Sequence, residues 1–279
     1  MLALYLVLYI LLTTCFTQFY KLTTKTMKNA AAQTVGLQFV AGLSCLLFLP
    51  FFSFRFPENP WVYFFLCLSC VFYAMNNWMM ANVRKNLEAS VIGIIQQSYT
   101  VLMTLAGFFL YNEGANVLKV LGILLIIAGN VLVFYHSSRK SLKYVYLGLL
   151  AYTCNVVAGL IDIGYSGEFN LGFYTAFLYF IPALFILIGS RAKLKSIVDE
   201  FKRANKRNYF ITGFCWGIHY LVLLFAYQFG DVSVVAPLAS LTVFSNVLVG
   251  YIWLRERDRP IRKFIAALMA ILGVVLISL

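Results

Sequence analysis

Charge is scarce in this sequence, and negative charge is scarcest. There are 10 Asp and Glu against 22 Lys and Arg, and only 11% of the 279 residues are charged. Soluble domains carry about 25% charged and roughly 45–50% apolar residues, whereas here 62% are hydrophobic and 17% aromatic. A soluble fold of this length could not hide that much apolar surface, because the buried fraction rises only slowly with size. Disordered, collagen-like, coiled-coil and disulfide-scaffold classes are excluded. Phosphate loops, HExxH pairs and dinucleotide fingerprints are also missing, and neither a cofactor nor a metal is expected. The six cysteines all lie in apolar segments. Cys67 and Cys70 have C-x-x-C spacing but no partner pair, which argues against zinc or redox chemistry. The class that remains is an integral membrane protein.

Charges at a helix centre are costly in lipid, so the stretches free of Asp, Glu, Lys and Arg mark the spans. They are 1–20, 29–54, 59–83, 89–112, 120–138, 144–161, 169–190, 208–230, 232–254 and 264–279. About 20 helical residues cross the hydrocarbon core. Strands would be about ten residues long with alternating polarity. The fold class is therefore an all-α integral membrane protein with ten transmembrane helices, multi-pass in the cell membrane (inner or plasma). The first segment has neither a basic leader nor a small-residue cleavage site, so it is expected to stay as a helix. Between Arg191 and Asn208, the residues Leu194, Ile197, Val198 and Phe201 fall at helical spacing among lysines and arginines. This stretch reads as an amphipathic surface helix or as a solvated connector.

The chain repeats itself. ASVIGIIQQSYTVLMTLAGFFLYNE (89–113) aligns with VSVVAPLASLTVFSNVLVGYIWLRE (232–256), pairing Ser90, Val91, Gly107 and Glu113 with Ser233, Val234, Gly250 and Glu256. The following helices match as well, with Lys119 on Lys263 and Gly129 on Gly273. Each half then holds five helices, 1–136 and 141–279, and an odd number per half makes the second copy insert upside down. The basic residues test this independently: loops after the odd-numbered helices hold 20 of the 22 Lys and Arg. Cytoplasmic loops collect Lys and Arg, which predicts odd loops inside and both termini outside. The excess of positive charge is thus a topology signal, and no nucleic-acid partner is expected.

Two five-helix halves, each with FFLYNEGANVLKVLGILLIIAG or YIWLRERDRPIRKFIAALMAILG near its end, resemble the drug/metabolite transporter superfamily, EamA type. The resemblance spans the whole chain and implies secondary transport. It also implies a mid-helix proline in the fourth and ninth helices and cytoplasmic termini. Here Pro237 lies near the start of helix nine and helix four has no proline, while the charge count puts the termini outside. Small multidrug members of the superfamily carry a Glu in helix one that binds cations and protons. Helix one here has no acid, which disfavours a polyaromatic cation exchanger.

Transporters of this kind bind substrate near the midplane between repeats, where uncharged polar residues are the candidates. Tyr73, Asn76, Asn77 and Met80 share a face of helix three, and Trp216, His219, Tyr220 and Leu223 share one of helix eight. Helix four adds Gln96, Gln97, Tyr99 and Thr100, and helix six adds Asn155. The substrate-binding candidates are Tyr73, Asn76, Asn77, Gln96, Gln97, Tyr99, Asn155, Trp216, His219 and Tyr220. Each reads equally as an interhelical hydrogen-bonding group. His219 reads either as a carrier for a coupling proton or as a structural histidine. Asp162, near the close of helix six, reads as interfacial, leaving every helix core without an acid. No Lys or Arg falls within a helix core, which weakens a nucleotide-sugar or phosphorylated-metabolite substrate. Glu113 and Glu256 are expected to favour the N-termini of helices five and ten. Gly122, Gly129 and Gly273 are expected to pack those helices together or to form a dimer face.

The sequence thus points to an alternating-access transporter of small organic metabolites, chiefly amino acids by resemblance, acting as monomer or homodimer in lipid. An enzyme would need clustered acids, histidines or metal ligands at one membrane face, and none is seen; a nonconducting scaffold is the other class. The charge count makes one direct prediction. A cysteine introduced at Lys202 will resist a membrane-impermeant thiol reagent on intact cells, and ready labelling would reverse the topology.

Overall fold

The computed structural model describes residues 2–110, 117–134, 139–230, 232–239, 241–255 and 259–278. Glu113 and Glu256 lie outside the described residues. Among those described there are helices and no strands. α1 (Leu2–Thr24), α2 (Ala30–Leu46) and α3 (Pro60–Asn86) are the first three spans. The fourth is divided into α4 (Ala89–Ile95) and α5 (Gln97–Leu110), and α6 (Val117–Phe134) is the fifth. In the second half, α7 (Arg139–Tyr165) and α8 (Leu171–Ser190) precede the short α9 (Leu194–Arg203) and α10 (Lys206–Tyr227). The ninth span is again divided, into α11 (Val232–Ala239) and α12 (Thr242–Ile252), before α13 (Pro260–Ser278) closes the chain. Eight of these spans are long and apolar enough to cross a membrane; Val117–Leu132 and Thr242–Ile252 are shorter apolar helices in the fifth and ninth places. Apolar side chains such as Leu11, Phe109, Val117 and Ile188 stand outward, where only lipid can cover them.

The pairing of helices follows the repeat. α1 packs on α10 as α3 packs on α7; α4 packs on α12 as α5 packs on α11; α2 meets α8, and α6 meets α13. Exchanging spans one to five with six to ten maps each pairing onto another or onto itself, as an inverted two-fold requires. Helix starts repeat too. Asn29 and Asn170 cap α2 and α8, their side chains accepting from Ala32 N and Phe173 N at 3.1 Å. Asn59 and Asn205 likewise cap α3 and α10. Asparagine suits this position because its oxygen satisfies one of the orphan N–H groups of the first turn.

Both divided spans break at matching places. In the fourth, Tyr99 N donates to Gln96 O at 2.9 Å, a tight i to i+3 bond in place of the helical one. In the ninth, Leu241 N donates to Leu238 O at 3.2 Å. The fourth span breaks without the proline that the resemblance implies. Lys263 of α13 is buried and pairs with Glu88 at the entrance to α4. Lys21 at the end of α1 donates to the carbonyls of Arg84 and Leu87 (2.8 and 2.5 Å), where α3 ends and its carbonyls lack helical partners.

α9 settles its expected alternatives. It is a surface helix with Ile197 and Phe201 packed inward and Leu194 and Val198 exposed. Its Glu200 is buried and accepts from Lys28 N and Asn29 N at the start of α2 (3.2 and 2.8 Å), holding Arg203 at 3.1 Å.

α6 and α13 cross at their glycines. A Cβ on Gly122 would stand 2.5 Å from Gly273 O, and one on Gly273 would stand 2.6 Å from Gly122 O. The expected glycine face therefore packs these two helices together. Gly273→Ala is expected to lower stability by about 1–3 kcal/mol, because backbone cannot give way as a side chain can. Gly164→Ala, with open space around its Cβ, should be neutral or slightly stabilising. Melting curves in detergent check both, and equal effects would contradict the packing.

Candidate functional site

Four helical stripes meet around one interior cavity of about 110 Å³. By comparison, a dry cavity of about 150 Å³ holds a benzene ring. α1 contributes Tyr9, Thr13, Phe16 and Thr17; α3 contributes Tyr73, Asn76, Asn77, Met80 and Arg84. α7 contributes Tyr152 and Asn155, and α10 contributes Trp216, His219, Tyr220 and Leu223. Gln96 lines it from the break in the fourth span, beside Tyr99. Residues three and four apart share a helix face, so each set is one stripe aimed inward.

Nine of the ten sequence-predicted residues line this cavity: Tyr73, Asn76, Asn77, Gln96, Tyr99, Asn155, Trp216, His219 and Tyr220. Gln97 does not. As the first residue of α5 it turns away from the cavity, is buried, and donates from Nε2 to Gly93 O at 3.3 Å. Adjacent residues on a helix point about 100° apart, which separates the fates of the two glutamines. Asn76 donates from Nδ2 to Asn77 Oδ1 at 3.0 Å, leaving Asn76 Oδ1 without a partner. His219 places Nδ1 2.9 Å from Cys215 O and stacks on Phe16 at 5.1 Å between ring centres. A carbonyl only accepts, so Nδ1 bears a proton, and when the ring is neutral Nε2 is an acceptor.

Two charged residues that the sequence reading placed outside the helix cores belong to this interior. The first is Arg84. It stands in the last turn of α3, but Cβ vectors tilt toward the helix N-terminus, and its long side chain reaches back to the cavity wall. Its guanidinium lies over the rings of Tyr20, Phe16 and Trp216, at 4.5, 5.0 and 5.9 Å from their centres. Nε and Nη1 are buried and have no hydrogen-bond acceptor among the described residues. The expectation of no cation within the helix cores is corrected accordingly. The stripe 73, 76, 77, 80 extends one more turn to 84, and that spacing was the available signal.

The second is Asp162. Expected at the interface, it is instead wholly buried among α3, α7, α8 and α10. Ser69 Oγ and Tyr174 OH each lie 2.7 Å from its Oδ1. Tyr73 OH and Tyr220 OH lie 2.7 and 2.6 Å from its Oδ2. A buried carboxyl is tolerable only when hydrogen-bonded, and four hydroxyls meet that need. Its signal was also present, because 152, 155, 159 and 162 continue one inward stripe of α7.

Comparison with known proteins decides the family. The model described as "EamA-like transporter family" matches residues 3–135. The model "EmrE", described as "Putative multidrug resistance efflux transporter", matches residues 166–279. The chain belongs to the drug/metabolite transporter superfamily. No curated protein matches it. A crystal structure of another protein superposes with a TM-score of 0.62 over 96% of this chain and 95% of that one, at 13% identity, a likeness of fold alone. The superfamily consists of membrane transporters, and this member is a multi-pass membrane protein. Like other transporters with discontinuous helices in corresponding places of two halves, it carries its cavity beside such a break.

Arg84 gives the transporter a stability prediction. Arg84 is half-buried, with Nε and Nη1 fully buried and no carboxylate paired with it among the described residues, so the cation is partly desolvated and only partly compensated by ring faces. Arg84→Met should therefore raise the thermal stability of the empty protein, by about 1 kcal/mol or more. A clear loss on melting would mean that the ring stack outweighs desolvation.

Proposed function

We propose that this protein is a secondary active transporter that carries small organic metabolites with an anionic group, amino acids foremost, by alternating access. The observation that carries the substrate class is Arg84, whose buried Nε and Nη1 lack acceptors at the wall of the cavity. Guanidinium presents its N–H groups as a planar fork that matches a carboxylate. The amides of Asn76, Asn77, Gln96 and Asn155 and the lone-pair nitrogen of His219 supply neutral donors and acceptors for the rest of a polar metabolite. The rings of Phe16, Trp216, Tyr152 and Tyr179 give it apolar walls. The halves 1–136 and 141–279 would rock about this cavity, opening it to one side at a time.

Phosphate fits the same fork, so Arg84 also supports a second reading, a phosphorylated metabolite. A single cation among neutral lining residues favours the singly charged carboxylate. The test is uptake of a pooled mixture of amino acids and small carboxylates into proteoliposomes, read by mass spectrometry, with Arg84→Gln and Asn77→Ala alongside. Wild type should accumulate at least one species. Arg84→Gln should lower that uptake about tenfold or more, the worth of a charge-assisted hydrogen bond. Absence of any accumulated species would sink the transport reading, and unchanged flux in both variants would remove the site.

A further inference from the structure

Asp162 has a proton to account for. Five oxygen–oxygen contacts hold its cluster together. Oδ1 meets Ser69 and Tyr174, Oδ2 meets Tyr73 and Tyr220, and the Tyr73 and Tyr220 hydroxyls meet each other at 2.5 Å. Each contact needs one proton between its oxygens, yet Ser69, Tyr73, Tyr174 and Tyr220 own one hydroxyl proton apiece. The more distant Ala158 O, 3.4 Å from Ser69 Oγ, lies outside the usual O–H···O range and does not draw the serine proton away. One proton is short, and the carboxyl group is the only other member that can hold it. With that proton on Oδ2, the carboxyl donates to Tyr220, Tyr220 donates to Tyr73, and Tyr73 donates to Oδ2. Every contact is then a hydrogen bond.

Without it, one of the five contacts presses two oxygens together with no proton between them. A full negative charge is then buried with no cation beside it among the described residues. The titratable groups that face Asp162 are Cys70 and Tyr73 from α3, Tyr99 from α5, Tyr174 and Tyr179 from α8, and Tyr220 from α10. No lysine, arginine or histidine is among them.

From this geometry we infer that Asp162 is a proton-binding site, that the proton is a co-substrate, and that its binding favours the conformation in which α3 and α10 are joined through Tyr73 and Tyr220. The inference rests on the transport reading for its coupling and on the cluster alone for its proton. Tyr73 and Tyr220 belong to opposite halves and also line the cavity, so they are both the latch and the route. A hydronium ion in the cavity gives its proton to the Tyr220 oxygen as Tyr220's own proton passes to Oδ2. Water is left behind, one proton is gained by the carboxylate, and the tyrosine is unchanged. Ionisation reverses the transfer and removes the reason for α3 and α10 to stay together, which biases the rocking equilibrium as a ligand does.

Two measurements test it. Infrared spectra of the purified protein at neutral pH should show a carboxylic-acid C=O band that vanishes in Asp162→Asn; a wild-type spectrum without such an Asp162-dependent band overturns the inference. In proteoliposomes given an inward acid gradient and the pooled carboxylate mixture, the gradient should raise wild-type uptake about fivefold or more. It should leave Asp162→Asn unaffected, because the amide copies the neutral acid. Tyr73→Phe keeps the acid but removes the latch, so its band should persist while its gradient response falls. A full gradient response in either variant overturns the coupling. If wild type shows no flux under any gradient, the transport reading fails, and the infrared band still decides whether Asp162 holds a proton.

Discussion

The structure depends on one constraint: in hydrocarbon a polar group must find its partner inside the protein, at a cost of several kcal/mol if it does not. Backbone groups meet it by helix formation. Side chains meet it unevenly, and the uneven places are informative. Asp162 meets it completely, through four hydroxyls drawn from three other helices. Arg84 meets it only halfway, through ring faces that soften the charge but accept no hydrogen bond. A saturated acid and an unsaturated cation, both reaching the same central bundle, suggest different tasks: one closes the protein on itself, and the other waits for something to enter.

The repeat supplies the geometry for both. Two helices of opposite halves, α3 and α10, face each other with matching stripes, so a cavity between them is lined by both copies. The fourth and ninth spans break in register, and the break at Gln96 brings an amide to the cavity in place of a continuous helix wall. Away from the cavity the packing is close. Gly122 and Gly273 bring α6 and α13 to near backbone contact, and buried Lys263 holds α13 to the start of α4 through Glu88.

Much of this could be read from the sequence, for a physical reason. Spans, repeat and inward stripes all follow from periodicity and from the cost of charge in lipid, so the ten helices and nine cavity residues were legible. The same reasoning concealed Arg84 and Asp162. Cutting the chain at each charge places charges outside the helices by construction, whereas α3 runs past Arg84 to Asn86 and α7 runs past Asp162 to Tyr165. Side-chain length and direction, which a span count ignores, then carry the guanidinium and carboxyl inward. Gln97 lies off the cavity for a different reason. Adjacent helical residues point about 100° apart, so Gln96 and Gln97 could not both face one cavity, and the spacing of the stripe alone does not say which of the two does.

The account stands or falls on whether the buried fork of Arg84 exists to receive an anion. The most direct measurement is the melting temperature of the purified protein titrated with amino acids and, in parallel, with their carboxamides, which differ only in that charge. The account predicts that carboxylates raise the melting temperature of the wild type, that carboxamides do not, and that the difference disappears in Arg84→Gln. Equal stabilisation by acids and amides, or an undiminished preference for acids in the variant, would contradict it.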